Sequence, residues 1–320
     1  MRRHLAAVVT GVLLAFTGGA FAQSTYPERT VHVINSGGAA NNVSRFIGEK
    51  LNEAMGQPFV TETVPGAGGI LAATRVARSA PDGYTLFMAG EASITTNVAL
   101  HDKLPYHPLK DFAPITLAVD SVNFLVVHPS VPAKNVQELV ALAKAEPGKL
   151  NIAHPGIGTS PHMGGQLLRS MAGIDIQQVP YREANAVIPD LISGRISIYF
   201  GNISSLLPLV REGKVRVLAV SSLTRVPMFP DLPTVAESGY PGFQATTWVG
   251  LLAPAGTPEP IIRKLHQETK RVLNQPDMRT RLTDLGLVIV GNTPDEFTAQ
   301  IAADIPRKIR ILRDSGMKPN

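Results

Sequence analysis

Three stretches of this 320-residue chain set glycine and small polar residues directly after an apolar run: Ser36-Gly37-Gly38-Ala39-Ala40-Asn41, Pro65-Gly66-Ala67-Gly68-Gly69 and Pro155-Gly156-Ile157-Gly158-Thr159-Ser160. A helical pattern begins just after each. Unpaired main-chain N–H groups and the positive end of a helix dipole therefore face the strand tops, an arrangement that binds anions. Glycine lets the main chain approach a ligand and adopt positive φ, which turns successive N–H groups inward as a nest. Any one such turn is also an ordinary connector between strand and helix; three in one chain point to anion capture. None reads GxxxxGK[ST] and none places GxGxxG in its required setting, which argues against a nucleotide.

The usual catalytic constellations are missing. There is no GxSxG elbow and no HExxH, and His101, His107, His128, His154, His162 and His266 are dispersed among different elements, so no metal site is expected. Ser160 and His162 invite a nucleophile-and-base reading, but residues two apart on a starting helix do not face each other. Ser160 reads more simply as the helix N-cap. No catalytic residue and no cofactor is expected; an exported hydrolase remains the competing reading from another class.

These loops must be held by a larger frame. Short β-branched or aromatic runs (VHVIN, FVTET, YTLFM, FLVVH, LNIAH, ISIYF, VRVLAVSS, WVGLLAP, LVIV) alternate with helical patterns, the signature of an α/β fold with parallel sheets covered by helices. Val43, Phe46, Ile47 and Leu51 fall on one helical face. So do Val136, Leu139, Val140 and Ala143 after the cap Asn135, and Ile261, Ile262, Leu265, Thr269 and Val272 after Pro258. Chain crossings between two lobes are expected near Val119 to Phe124 and over the proline- and glycine-rich Thr224 to Thr246. The expected division is 23–122 plus 246–320 for the first lobe and 123–245 for the second, with a ligand in the cleft between them.

The amino terminus MRRHLAAVVTGVLLAFTGGAFA has the basic start, short apolar run and small-residue ending of a secretory signal, with cleavage after Ala22. Its apolar stretch is too short and interrupted for a membrane span, so a soluble protein working in the periplasm is expected. The sequence has no cysteine, which excludes disulfides and thiolate catalysis. Loss of Arg2 and Arg3 lowers the formal charge by two from +5. Basic residues in KIRILRDSGMK, REGKVR and IIRKLHQETKR are interleaved with carboxylates and read as solvated helix faces, so nucleic-acid binding is not expected.

The order and spacing of several longer motifs resemble the periplasmic solute receptors of tripartite tricarboxylate transporters, the Bug-type receptors. The resemblance runs through YPERTVHVI with GGAANNVSR, VPGAGGILAATRVARSAPDGYTL, KLPYHPLKDFAPITL, GIGTSPHMGGQLL, VPYREANAVIPDLISGRI, LVREGKVRVLAVSS and PDLPTVAESGYPGF with WVGLLAPAGTP. It implies a two-lobed periplasmic-binding-protein type II architecture with an interlobe cleft. It further implies a receptor, not an enzyme, that closes over a small organic acid and makes transient contact with a membrane permease, acting as a monomer and not itself embedded in the membrane. A sensory subunit serving a signalling partner is the competing role. The resemblance places the pocket at Gly37, Gly38, Ala39, Ala40 and Asn41; Gly66, Ala67, Gly68 and Gly69; Glu91, Ala92 and Ser93; Gly158, Thr159, Ser160 and His162; Tyr181, Arg182, Glu183 and Ala184; and Asn202.

Departures from the family pattern are informative. Asn41 stands where an aspartate is usual and Gly201 precedes Asn202 where Phe-Asp-Asn is common, so two carboxylates that would repel an anion are gone. Glu91 replaces a small hydroxylated residue; it either meets a cation or points away to solvent, the second reading being favoured. Arg182 and Glu183 replace a lysine-glycine pair, and Arg182 either forks onto a distal carboxylate or is solvated at the surface. Tyr181, Tyr199, Phe200 and Trp248 are stacking candidates or core packing. The mature protein is expected to begin at Gln23, which intact-mass measurement of periplasmic material reads directly; retention of residues 1–22 would remove the signal reading.

Overall fold

The computed structural model describes residues 26–156 and 158–314, and the expected signal segment 1–22 lies outside them. Its first half alternates strand and helix: β1 (Val31–Asn35), α1 (Ala39–Met55), β2 (Phe59–Thr63), α2 (Ile70–Ala77), β3 (Thr85–Gly90), α3 (Asn97–Leu100), β4 (Phe112–Ser121) and β5 (Asn123–Val127). The middle adds α4 (Val136–Ala145), β6 (Asn151–His154), α5 (Ser160–Ala172), β7 (Gln177–Pro180), α6 (Val187–Ile192), β8 (Ile198–Asn202), α7 (Ile203–Arg211) and β9 (Arg216–Val220). It closes with β10 (Thr247–Pro254), α8 (Glu259–Leu273), α9 (Pro276–Asp284), β11 (Leu287–Ile289) and α10 (Pro294–Asp314).

The strands form two sheets, one ordered β11-β4-β10-β3-β1-β2 and one ordered β7-β6-β8-β5-β9. Each is covered on both faces, which is why central strands such as β3, β5 and β10 are buried along nearly their whole length, while the edge strands β2 and β7 are not. In the larger sheet, Val31 and Val33 pack with Val43, Ile47 and Leu51 of α1 and Leu265 of α8, while Ile34 points the other way toward α2 and Phe297 of α10. In the smaller sheet, Leu125 and Val127 meet Leu139 of α4 and Leu168 of α5, while Phe124 and Val126 meet Leu191 of α6 and Leu206 of α7.

The helix faces expected from the sequence are present. Val43, Ile47 and Leu51 are buried on α1 with Phe46 packed beside them, and the Asn135 side chain accepts the Glu138 N–H to cap α4. The expected all-parallel sheets are not found. β10 runs antiparallel between β3 and β4, and β5 antiparallel between β8 and β9; each is the first strand the chain lays down on crossing from the other sheet. The change of sheet is abrupt: Ser121 ends β4 and Asn123 begins β5, with only buried Val122 between. The return lies between Val220 of β9 and Thr247 of β10.

Gly250 shows how tightly β10 is covered. A Cβ added there would run into the ring of Phe297, which stands edge-on to Trp248. Overpacking a buried site of this kind costs about 1–3 kcal/mol. Gly250→Ala is therefore expected to lower the urea midpoint by that amount of stability; an unchanged midpoint would mean that the ring moves aside freely.

Candidate functional site

The parallel strands β1, β2 and β3 deliver three turns to one edge of the larger sheet. The first opens α1. Gly37 and Gly38 have φ of 99° and 61°, Gly38 is the N-cap, no side chain caps the helix, and its first turn carries no acid. Asn35 braces the turn from below: its Oδ1 accepts the Gly37 N–H at 2.8 Å and its Nδ2 donates to the Glu62 carbonyl at 3.2 Å. Gly37 N–H is thereby committed to the fold. Asn41 N–H donates to the Gly38 carbonyl at 3.1 Å, so the first-turn N–H groups that an α-helix leaves without an intrahelical acceptor come down here to those of Gly38, Ala39 and Ala40. Thr63 Oγ1 donates to Asn41 Oδ1 at 3.1 Å, which fixes the Asn41 amide at the mouth of the turn.

The second turn is more contorted. Gly66, Ala67, Gly68 and Gly69 all have positive φ (123°, 46°, 60° and 91°), and Ala67 is the non-glycine residue in that region among those described. A side chain held there is strained, a condition that persists only where the surroundings over-determine it. They do: Asn97 Nδ2 donates to the Gly68 carbonyl at 3.0 Å, and Gly69 N–H to the Gly66 carbonyl at 2.9 Å. α2 likewise starts without a side-chain cap or an acid. The turns converge at Gly69, where a Cβ would stand 2.8 Å from Ser93 Cβ and 3.2 Å from Ser36 Oγ. After β3 the chain enters a π-helical turn over Ala92–Thr96, a form frequent at functional sites. Ser93 anchors it by donating to the Gly90 carbonyl, and Tyr106 donates to the Ser93 carbonyl.

The third glycine-rich turn, ending at Ser160, belongs to the smaller sheet and faces the larger one: a Cβ at Gly158 would lie 3.4 Å from Thr96 Cγ2 and 3.5 Å from Leu100 Cδ1. Unlike the others, it satisfies most of its own donors. Thr159, not Ser160, is the N-cap of α5, its Oγ1 accepting the His162 N–H; Pro161 supplies no N–H; Gly156 and Gly158 donate to His154 Nδ1 and His162 Nδ1, each at 3.3 Å. The two rings stand edge to face, 4.7 Å apart. Burial, with His154 beside it, lowers the His162 pKa to about 4, and burial lowers that of His154, so both rings are neutral acceptors at Nδ1. Ser160 Oγ accepts from Asn123 Nδ2 at 3.0 Å instead of bonding His162. The nucleophile-and-base geometry is not formed.

Of the remaining expected site residues, Arg182 and Glu183 are exposed and form no ion pair among the described residues; Ala184 follows them into a short exposed turn. Tyr181 is half-buried and donates to Asp190 Oδ2 at 2.7 Å. Asn202 is occupied at both ends: Oδ1 caps α7 by accepting the Ser204 N–H, and Nδ2 donates to Ser121 Oγ, so its amide ties the two sheets together. Tyr199, Phe200 and Trp248 are 2%, 0% and 1% exposed, so they pack the cores and are not stacking surfaces. Among the described residues no three His, Asp or Glu side chains gather as a metal site.

Glu91 requires correction. It is not an exposed strand-end carboxylate but is buried against Lys308 of α10, with Nζ to Oε1 at 2.8 Å and side chains 4% and 3% exposed. The expected solvated face of KIRILRD is also overturned, since Lys308, Ile311 and Leu312 are buried. Around the pair lie Asp304, which accepts from Trp248 Nε1 at 3.0 Å and pairs with Arg307, and Asp120, whose Oδ1 has no hydrogen-bond partner. Burial pushes the Glu91 carboxyl upward against the pull of Lys308. Burial, helped by Glu91 and Asp304, raises Asp120 to about 7. No sequence spacing joins Glu91 to Lys308; only the long α10 crossing the end of the π turn brings them together.

A sequence profile of the tripartite tricarboxylate transporter family receptors matches residues 43–317. The chain belongs to that family. BugT of Bordetella pertussis is 32% identical, with 99% of each chain covered. Two similar solved structures are an R. palustris protein with adipate (29% identical, TM-score 0.74, 92% of this chain and 100% of that one) and MatC from Rhodopseudomonas palustris with bound malate (36%, TM-score 0.69, 90% and 100%). The motif resemblance is thus borne out, and the two sheets form the two-lobed periplasmic-binding-protein architecture. This family consists of solute-binding receptors. No helix among the described residues of this receptor is long and apolar enough to cross a membrane.

The raised Asp120 pKa has a definite sign. The folded receptor holds this proton more tightly than the unfolded chain, so the contribution to stability is complete below about pH 4 and is lost as pH rises through about 7. Asp120→Asn is expected to gain stability over wild type across that interval, at up to about 1.4 kcal/mol per pH unit. Urea titrations of both proteins at several pH values check this; a difference that does not vary with pH would show that Asp120 is ionised throughout.

Proposed function

We propose that this receptor captures a small organic dicarboxylate in the cleft between its two sheets, holding one carboxylate with main-chain N–H groups, and delivers it unchanged to a membrane permease from the periplasm. The observation that carries this reading is the pair of uncapped, acid-free helix starts at Gly38 and Gly69, brought together with the Ser93 turn. A carboxylate placed there meets donors and two helix dipoles at once. The adipate and malate in related structures have the same chemical class, two carboxylates on a short carbon chain.

The lobes that close are 23–122 with 246–320 and 123–245, acting within one monomer, and the bending occurs where β4 gives way to β5 and along the return to β10. The Gly158 to His162 turn closes from the far side as a shaped wall, since its donors are mostly internal. Only a solute that binds the closed form better shifts the equilibrium toward it.

Gly38 is the sharpest test. A Cβ there meets nothing within 4 Å, so a side chain would project into open space above the turn while φ of +61° strains it. Gly38→Val is expected to abolish malate and adipate binding by calorimetry with circular dichroism unchanged. Undiminished affinity in a folded variant would sink the main-chain mechanism. Native mass spectrometry of the wild-type protein, looking for a co-purified acid, identifies the solute.

A further inference from the structure

A cavity of about 750 Å³ lies between α5 and α10, away from the three turns. Its wall includes Arg169, Arg307 and Arg310 on one side of the chemistry and Leu167, Met171 and Ile311 on the other, with no acid among its lining residues. Arg169 lies along α5 from the Ser160 end by about 13 Å at the rise of an α-helix, so the cavity and the turns are separate places.

The arginines are incompletely matched. Arg307 pairs with Asp304 and donates to Gln244, and Arg169 donates to Gln166, yet the Nε atoms of both are buried without an acceptor. Arg310 is exposed at the rim and has no ion-pair partner among the described residues. Buried N–H donors without partners are few in native proteins; both Nε atoms are closed off from the cavity, so an occupant meets the outer guanidinium nitrogens. Guanidinium groups are forks suited to oxyanions with two acceptor oxygens. An apolar wall beside them offers a surface for hydrocarbon, which a bare inorganic anion would leave unused.

We propose that this cavity is a second binding site, taking an organic anion whose oxyanion head meets Arg169 and Arg310 and whose hydrocarbon body lies against Leu167, Met171 and Ile311. Because α5 covers the smaller sheet and α10 the larger, the occupant touches both halves of the receptor. It does so beside the point where Met163 and Leu167 already pack on Ile311 and Leu312. The site is independent of the solute proposed for the cleft.

The test uses the Gly38→Val receptor, so that the cleft is compromised, titrated by calorimetry with octanoate and separately with inorganic phosphate. Saturable octanoate binding near one per chain is expected, weakened at least tenfold by an added Arg310→Gln or Arg169→Gln, with circular dichroism confirming that each variant is folded. Arg310 is exposed, so its substitution leaves the core intact. Octanoate binding that is absent, or that neither arginine substitution changes, would overturn the site. So would binding seen in wild type and lost in Gly38→Val alone, which places octanoate in the cleft. Binding of phosphate without octanoate would overturn the organic-anion assignment.

Discussion

α1 and α2 begin with neither a side-chain cap nor an acid in the first turn, and those beginnings are held against one another at the edge of one sheet. The rest of the larger sheet serves that constraint. Asn35 and Thr63 lock the first turn from beneath, Asn97 pins the second through the Gly68 carbonyl, and Ser93 supports the third. Ala67 is kept at positive φ in the midst of them. Under the proposed function, donors fixed in place before a ligand arrives lose little freedom on binding, which is the physical gain from such an arrangement of backbone.

Behind the donors lies a compact set of buried charges: Glu91 with Lys308, Asp304 with Arg307, and Asp120 beside both. A buried ion pair is weak evidence for stability, because desolvation offsets much of the attraction, but removing one partner strands the other. Glu91 begins the π turn that carries Ala92 and Ser93, so Lys308 fixes the position of that turn from a helix near the carboxyl terminus. The turn that carries Ser93 is thereby tied to residues more than two hundred positions away.

Periodicity and turn composition were enough to locate most elements, and the first two glycine-rich turns did fall at one sheet edge, because both are local properties of the chain. What the sequence concealed was non-local or polar. β7 reads QQVP, an edge strand with no fully buried residue and a proline, so it has no apolar signature. β4 extends over FAPITLAVDS, where Pro114 interrupts the pattern and the strand's end coincides with the expected crossing. The antiparallel strands β5 and β10 look like any other apolar run, since direction leaves no trace in composition. The third glycine-rich turn resembled the first two, yet Thr159, Pro161 and the two histidines consume its donors. Glu91 and Lys308 each looked like surface residues until the fold brought them within 2.8 Å.

The absence of side-chain caps on α1 and α2 also bears on how such a receptor diverges. A main-chain N–H survives every amino-acid replacement except that by proline. Mutation can therefore reshape the walls around these donors again and again while the donors themselves are inherited intact, so that, under the proposed capture by main-chain N–H groups, descendants drift in what they admit without first losing the means to hold it.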